Sequence, residues 1–187
     1  MRPGQHGISP RAARDESGAG APVTARFRVG QGVDVHPLAS GRPLVLGGVA
    51  VPFDRGLDGH SDADVVAHAV CDAVLSAAGL GDLGHHFPAG DPRWAGADSL
   101  AFCRRVAGLT REAGWVIGNV AATVLCDRPR LGPYLPAMVQ ALAGALGVDD
   151  GQVQVVPKSS EGLGFTGRGE GIAAVAVCLL VAADHPG

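Results

Sequence analysis

The chain has 187 residues, of which 47% are hydrophobic and 18% charged, and a formal net charge of −3 at pH 7. That is enough apolar material for one domain with a real core, while the lack of a basic run or of aromatics among the arginines argues against nucleic-acid binding. No stretch approaches the ~20 uninterrupted apolar residues of a membrane span, so no membrane partner is expected.

Residues 1–25 are rich in Gly, Ala, Pro and Ser with scattered charge, lack the apolar centre of a signal peptide, and read as a disordered N-terminal extension or an over-long gene start. The domain is expected over residues 26–187. Arg26 to Val35 alternates small or polar residues with Val and Phe, the period of a strand. Pro43 to Val51 reads as a second strand bent at Gly47-Gly48, and Asp54 to Gly59 as loop. A helix is predicted from Ser61, capped by its hydroxyl, to Gly79, with Asp62 and Asp64 favoured by the helix dipole. Gly79 to Pro92 reads as loop, and Asp98 or Ser99 opens a second helix closing near Gly114. A strand over Val116–Cys126, a helix from Tyr134 to Leu146 and strands over Gln152–Val156 and Ile172–Val181 complete the chain. The β-β-α-α-β-α-β-β order predicts an α+β fold, a single compact domain with a mixed or antiparallel sheet of four to five strands and helices on one side. Cys71, Cys103, Cys126 and Cys178 form no C-x-x-C pair and sit in apolar segments, as expected of free buried thiols in a reducing cytoplasm.

Three clusters carry candidate chemistry. In Asp34-Val35-His36 the carboxylate and imidazole share one face of a strand, a good geometry for two ligands of one metal. Asp64, His68 and Asp72 are spaced four apart on one helical face, either as a solvated stripe or as a functional one. His60 lies eight residues before His68, about 12 Å along a helix, too far for both to hold one ion through metal–nitrogen bonds of about 2 Å. Spacing alone leaves Asp64 and His68 equally eligible as the helical ligand. The third cluster, Lys158-Ser159-Ser160-Glu161 followed by the glycine-rich run to Gly171, offers amides, hydroxyls and a cation to phosphate oxygens. A carboxylate among such donors makes sense where magnesium lies between it and the phosphates.

The blocks GHSDADVVAHAVCDAVLSAAGLGDLGHHFP (Gly59 to Pro88) and EGLGFTGRGEGIA (Glu161 to Ala173), with VGQGVDVHP near the start and DRPRLGPYLPAM (Asp127 to Met138), resemble those of the 2-C-methyl-D-erythritol 2,4-cyclodiphosphate synthase family. The similarity covers about residues 26–183, in the same order and spacing. It implies zinc on Asp34, His36 and His68, with Val35 between them in the substrate site, and magnesium or manganese on Glu161. It implies transition-state stabilisation by His60 and Ser159, and substrate contacts from Ser61, from the turn Asp82, Leu83 and Gly84, and from the loop Phe87, Pro88, Ala89, Gly90 and Asp91. Cys126, Asp127, Arg128, Pro129, Arg130, Leu131 and Gly132 align with the loop that receives cytidine, and Lys158 and Ser160 flank the second stabilising position. Phe165 and Arg168, with Glu170, match a central pocket that some relatives use for isoprenoid diphosphates. The resemblance further implies a homotrimer with active sites between subunits, a nucleotide-linked small-molecule substrate, and a phosphorus–oxygen lyase reaction releasing CMP. This chain departs from the family at Pro157 and Lys158, at Ser159-Ser160 where a Thr pair is usual, and at Ala89 in place of a frequent Asp. Two rival expectations are a zinc phosphoesterase, in which water attacks, and a non-catalytic trimer holding an isoprenoid diphosphate.

Overall fold

The computed structural model describes residues 26–183; the extension expected over residues 1–25 lies outside the described residues. A five-stranded mixed sheet runs in the order β4 (Arg55–Leu57), β1 (Phe27–Ser40), β7 (Gly171–Ala182), β5 (Trp115–Leu125), β6 (Val153–Lys158). All pairings are antiparallel except β5 with β6. Helices α1 (Val65–Ala78), α3 (Ser99–Glu112) and α4 (Leu135–Leu146) pack against it, with short helices α2 (Leu83–His86) and α5 (Gly164–Gly167) in connections. The expected α+β domain is what is found.

Helix α1 is apolar on nearly every side, as a helix enclosed by a sheet and another helix must be. Val65, Val66, Val70, Val74 and Leu75 are fully buried, each contributing about 1.5–3 kcal/mol by leaving water. Its seating explains an inversion in β1. Gly30 and Gly32 point into the core, while Val29, Val33 and Val35 point outward, 65%, 55% and 49% exposed. A Cβ at Gly30 would meet the Ala73 carbonyl oxygen at 2.2 Å, and one at Gly32 the Ala69 oxygen at 2.1 Å. The glycines let the helix backbone rest directly on the strand, and the valines are left on an open sheet face with Val177 and Val181 of β7.

The local expectations need four corrections. The bent strand over Pro43–Val51 is a hairpin of β2 (Leu44–Leu46) and β3 (Val49–Val51), because Gly47 (φ 56°) and Gly48 (φ 75°) both take the left-handed conformation that a tight hairpin turn requires. The loop expected from Asp54 contains β4, which pairs with the end of β1. The loops around Leu83–His86 and Gly164–Gly167 each wind into a single helical turn. Finally, α1 is capped by Asp64, whose carboxylate accepts the Val66 and Ala67 amides, and not by Ser61, which lies before the helix. Asp98 does cap α3, accepting the Leu100 amide, and Gly147 closes α4.

Candidate metal centre and cleft

The contact between β1 and α1 brings together two distant parts of the sequence. Asp34 Oδ2 lies 3.0 Å from His36 Nε2 and 3.0 Å from His68 Nδ1, and the two imidazole nitrogens are 3.3 Å apart. All three side chains are largely buried, and this is a group of ligand atoms close enough to hold one ion. The far ring nitrogens are occupied. His36 Nδ1 is 2.7 Å from the Asp58 carbonyl oxygen, an acceptor only, so it carries the proton and leaves Nε2 bare. His68 Nε2 is 2.9 Å from Ser99 Oγ and 3.1 Å from Ser61 Oγ. A carboxylate and two imidazoles with their lone pairs converging fit a zinc-type ion. Without an ion a proton must take its place. Burial opposes charge on Asp34, but hydrogen bonds from His36 and His68 outweigh it and hold its carboxyl well below the usual carboxylate range. Burial likewise opposes charge on His36, and the hydrogen bond and charge of Asp34 overcome it and raise its pKa.

The structure separates Asp64 from His68. Asp64 is fully buried, and besides capping α1 it accepts the Gly47 amide at 2.8 Å and the Gly48 amide at 2.6 Å, pinning the β2–β3 hairpin. Burial pushes its carboxyl up, countered by those amides. With its oxygens so engaged, it is no metal ligand. One turn beyond His68, Asp72 accepts the Leu83 amide at 2.6 Å and ties α2 to α1. Burial raises its pKa. The polar stripe is therefore two anchors, Asp64 and Asp72, with a triad imidazole between them, and not a solvated face.

Beside the metal triad a cleft of about 200 Å³ is lined by His36, His60, Ser61, His68, Leu83, Gly84, Phe87, Ala89, Trp94 and Phe102. Seven of the residues singled out in the sequence as substrate contacts or metal ligands thus share a cleft with His68. Of their neighbours, Asp82 caps α2 and Asp91 offers its carbonyl to His60 Nε2 at 3.0 Å while an ion pair with Arg93 holds its carboxyl low. Pro88 and Gly90 continue the same loop. Phe102 and Trp94 went unnoticed in the sequence. The Phe102 ring lies tilted against Phe87 at 4.4 Å between centroids and the Trp94 ring edge-on to it at 5.2 Å, a cluster of three in a chain with only 4% aromatics.

A second cavity of about 560 Å³ is lined by Cys126, Asp127, Pro129, Arg130, Leu131, Gly132, Pro133, Pro157, Lys158 and Ser159, uniting the two predicted nucleotide and phosphate segments. The Asp127 carboxylate binds them. It accepts Ser160 N (2.7 Å), Gly162 N (3.0 Å), Ser160 Oγ (3.0 Å) and Ser159 Oγ (3.2 Å), and these donors lower its pKa. Arg128 lies outside this cavity, next to Phe53 in an adjoining one. Glu161 is exposed at a left-handed φ of 54°. Arg168 makes a two-pronged pair with Glu170 at 2.8 and 2.9 Å beside half-exposed Phe165. The metal cleft and this cavity share no lining residue.

Fold and site together define a class: an α+β domain with a carboxylate–bis-imidazole group able to hold a metal ion beside a cleft. The chain belongs to the YgbB family, whose model matches residues 27–181. Its similar curated relatives include the 2-C-methyl-D-erythritol 2,4-cyclodiphosphate synthases of Laribacter hongkongensis, 58% identical over 82% of this chain and 95% of that one, and of Moorella thermoacetica, 56% over 83% and 95%. Among solved structures, a CDP-bound 2C-methyl-D-erythritol-2,4-cyclodiphosphate synthase is 40% identical with a TM-score of 0.75, over 82% of this chain and 99% of that one. The bifunctional IspDF of Campylobacter jejuni gives 37% and a TM-score of 0.82 over 84% of this chain, which spans 43% of that larger protein.

Proposed function

We propose that this chain converts 4-diphosphocytidyl-2-C-methyl-D-erythritol 2-phosphate to 2-C-methyl-D-erythritol 2,4-cyclodiphosphate and CMP, a step of non-mevalonate isoprenoid precursor synthesis. An oxygen of the 2-phosphate attacks the β-phosphorus, the bond from that phosphorus to the bridging oxygen breaks, and CMP leaves with that oxygen, as in a phosphorus–oxygen lyase. The observation that carries this reading is the convergence of Asp34, His36 and His68 on one point beside a cleft, in a chain more than half identical to synthases over most of its length.

Bringing two phosphates together costs about 4 kcal/mol per pair of unit charges about 4 Å apart at an effective dielectric of 20. When bound, zinc on Asp34, His36 and His68 and magnesium or manganese on Glu161 supply the positive charge that offsets this. The Phe87–Trp94–Phe102 wall keeps water from competing with the tethered phosphate, and the Leu83-Gly84 turn and Ser61 position the methylerythritol portion. Lys158, Ser159 and the Cys126–Gly132 loop receive the cytidine diphosphate end, with His60 and Ser159 as the stabilising pair. No protein nucleophile is needed.

Since the metal and nucleotide cavities are separate in one chain, a complete site needs a second copy. The open valine face of β1 and β7 supports self-association, and we assign a homotrimer, testable as a solution mass three times 18.8 kDa. Phe165 and Arg168 are the candidate isoprenoid diphosphate contacts, Arg168 first parting from Glu170. Four buried free thiols support a cytoplasmic location. Phosphorus NMR with the substrate, zinc and magnesium tests the reaction. Paired cyclic diphosphate resonances with CMP are expected; open-chain phosphates would point to a phosphoesterase, and unchanged substrate with folded, metal-loaded protein would overturn the catalytic reading.

A further inference from the structure

His68 is the one metal-site imidazole whose far nitrogen faces hydroxyls instead of a carbonyl. A hydroxyl can donate or accept, so by itself it does not decide which ring nitrogen carries the proton. What lies behind it does. The Asp62 carboxylate accepts the Ser99 amide on Oδ2 at 3.0 Å and the Ser99 hydroxyl on Oδ1 in a close contact, and Oδ1 also accepts the Asp64 amide at 3.2 Å. The two backbone partners of the Asp62 oxygens are amide donors, and a carboxylate oxygen offers the Ser99 hydroxyl only lone pairs. The Ser99 proton therefore points to Asp62, and only lone pairs remain on Ser99 Oγ for His68 Nε2, 2.9 Å away. Ser99 is fully buried, so no solvent competes for its hydroxyl.

We infer that Asp62 and Ser99 form a polarity-setting relay that keeps the His68 proton on Nε2 and the Nδ1 lone pair on the metal. This rests on the proposed metal site and adds two positioning residues to it. Ser61 also approaches Nε2, at 3.1 Å, but its hydroxyl has only a backbone amide behind it, from Ala63 at 3.2 Å, and lies 3.5 Å from Ser99 Oγ. No carboxylate orients it, so Ser99 is the residue that fixes the tautomer. The relay does for His68 what the Asp58 carbonyl does for His36. Outer partners of this kind typically set metal affinity by about 10–100-fold.

The test uses full-length protein carrying Ser99→Ala, Ser99→Thr, Asp62→Asn or Ser61→Ala, each checked for a cooperative thermal transition. NMR of the zinc-loaded protein reads the His68 Nε2 proton and its exchange with water, and chelator competition reads zinc affinity. Wild type should show a slowly exchanging Nε2 proton. Ser99→Ala should speed that exchange and weaken zinc binding about 10–100-fold. Ser99→Thr, which keeps the hydroxyl, should restore both, and Asp62→Asn should fall between. Zinc affinity and proton exchange unchanged in Ser99→Ala and Asp62→Asn, or a larger change in Ser61→Ala, would overturn the relay. A folded wild type that binds no zinc would instead overturn the metal site on which it acts.

Discussion

The metal cleft and the nucleotide cavity are built on different principles. Asp34, His36 and His68 stand within regular elements, β1 and the first turn of α1, with buried side chains whose outer atoms are already engaged. Asp127, Lys158, Ser159 and Glu161 sit where strands β5 and β6 end and loops begin, largely open to solvent and held mainly by the Asp127 carboxylate. A metal centre needs lone pairs fixed to a fraction of an ångström, which packed elements provide. A flexible diphosphate with a nucleoside needs donors that adapt, which strand ends provide. The first region is thus enclosed by packed elements, and the second is an open shelf. Changes in the first should alter metal content, and changes in the second should alter substrate affinity.

The sharpest way to break this contrast is His68→Ala. Turnover should fall at least about 100-fold, more than loss of an outer partner costs, and bound zinc by elemental analysis should drop with it. If zinc stayed stoichiometric, the triad would not be the metal site. Gly32→Ala should damage the same region without touching a ligand. Its Cβ would collide with the Ala69 backbone, so α1 must lift from β1, at about 3 kcal/mol by denaturant melt.

Asp64→Ala separates the anchor from the ligand. Removing a cap and orphaning the Gly47 and Gly48 amides should cost about 2–3 kcal/mol of stability, while zinc per folded chain stays unchanged. The metal-free protein offers a pH test of the triad. His36 has a raised folded pKa, so its pairing stabilises fully below its unfolded value of about 6.5 and is lost as pH rises through the raised value. Asp34 has a depressed one, so its share is present above about 3.9 and lost as pH falls through the depressed value. The stability gap between wild type and His36→Gln should thus be roughly 1–2 kcal/mol between about pH 4 and 6.5 and shrink above it. A gap that grew with pH would contradict the pairing. The smallest effect is expected from Lys158→Ala, which should raise KM about three- to tenfold, with kcat and bound zinc little changed. A fall in kcat alone would move Lys158 from binding into the chemistry.

Much of the fold was legible because its signals are local. The Asp-x-His pair sits on one strand face, Asp98 caps α3, Gly147 closes α4, and the apolar run of β7 reads as a buried strand. The misses have a common cause. Ser61 looked like a cap because hydroxyl caps are common, yet the backbone enters the helix only after Ala63, held at φ 57°, and Asp64 takes the role. Ser99 reads in sequence as a helix-start residue, and nothing nearby says that its hydroxyl meets His68. Trp94 and Phe102 are separated from His60 by more than thirty residues and meet it only across the cleft.

By itself, then, the sequence determined which residues are chemically able to act: the carboxylates, imidazoles and hydroxyls, their period on strand or helix, and the four motif blocks that mark the family. The tertiary structure alone decided which of them converge. Asp64 and His68 stand one helical turn apart with the same spacing and comparable chemistry. What assigns one to the hairpin amides and the other to the side of Asp34 is that Gly30 and Gly32 let α1 lie against β1 at one particular height and rotation. That choice depends on contacts between residues far apart in the chain, where packing, and not local spacing, sets the distances.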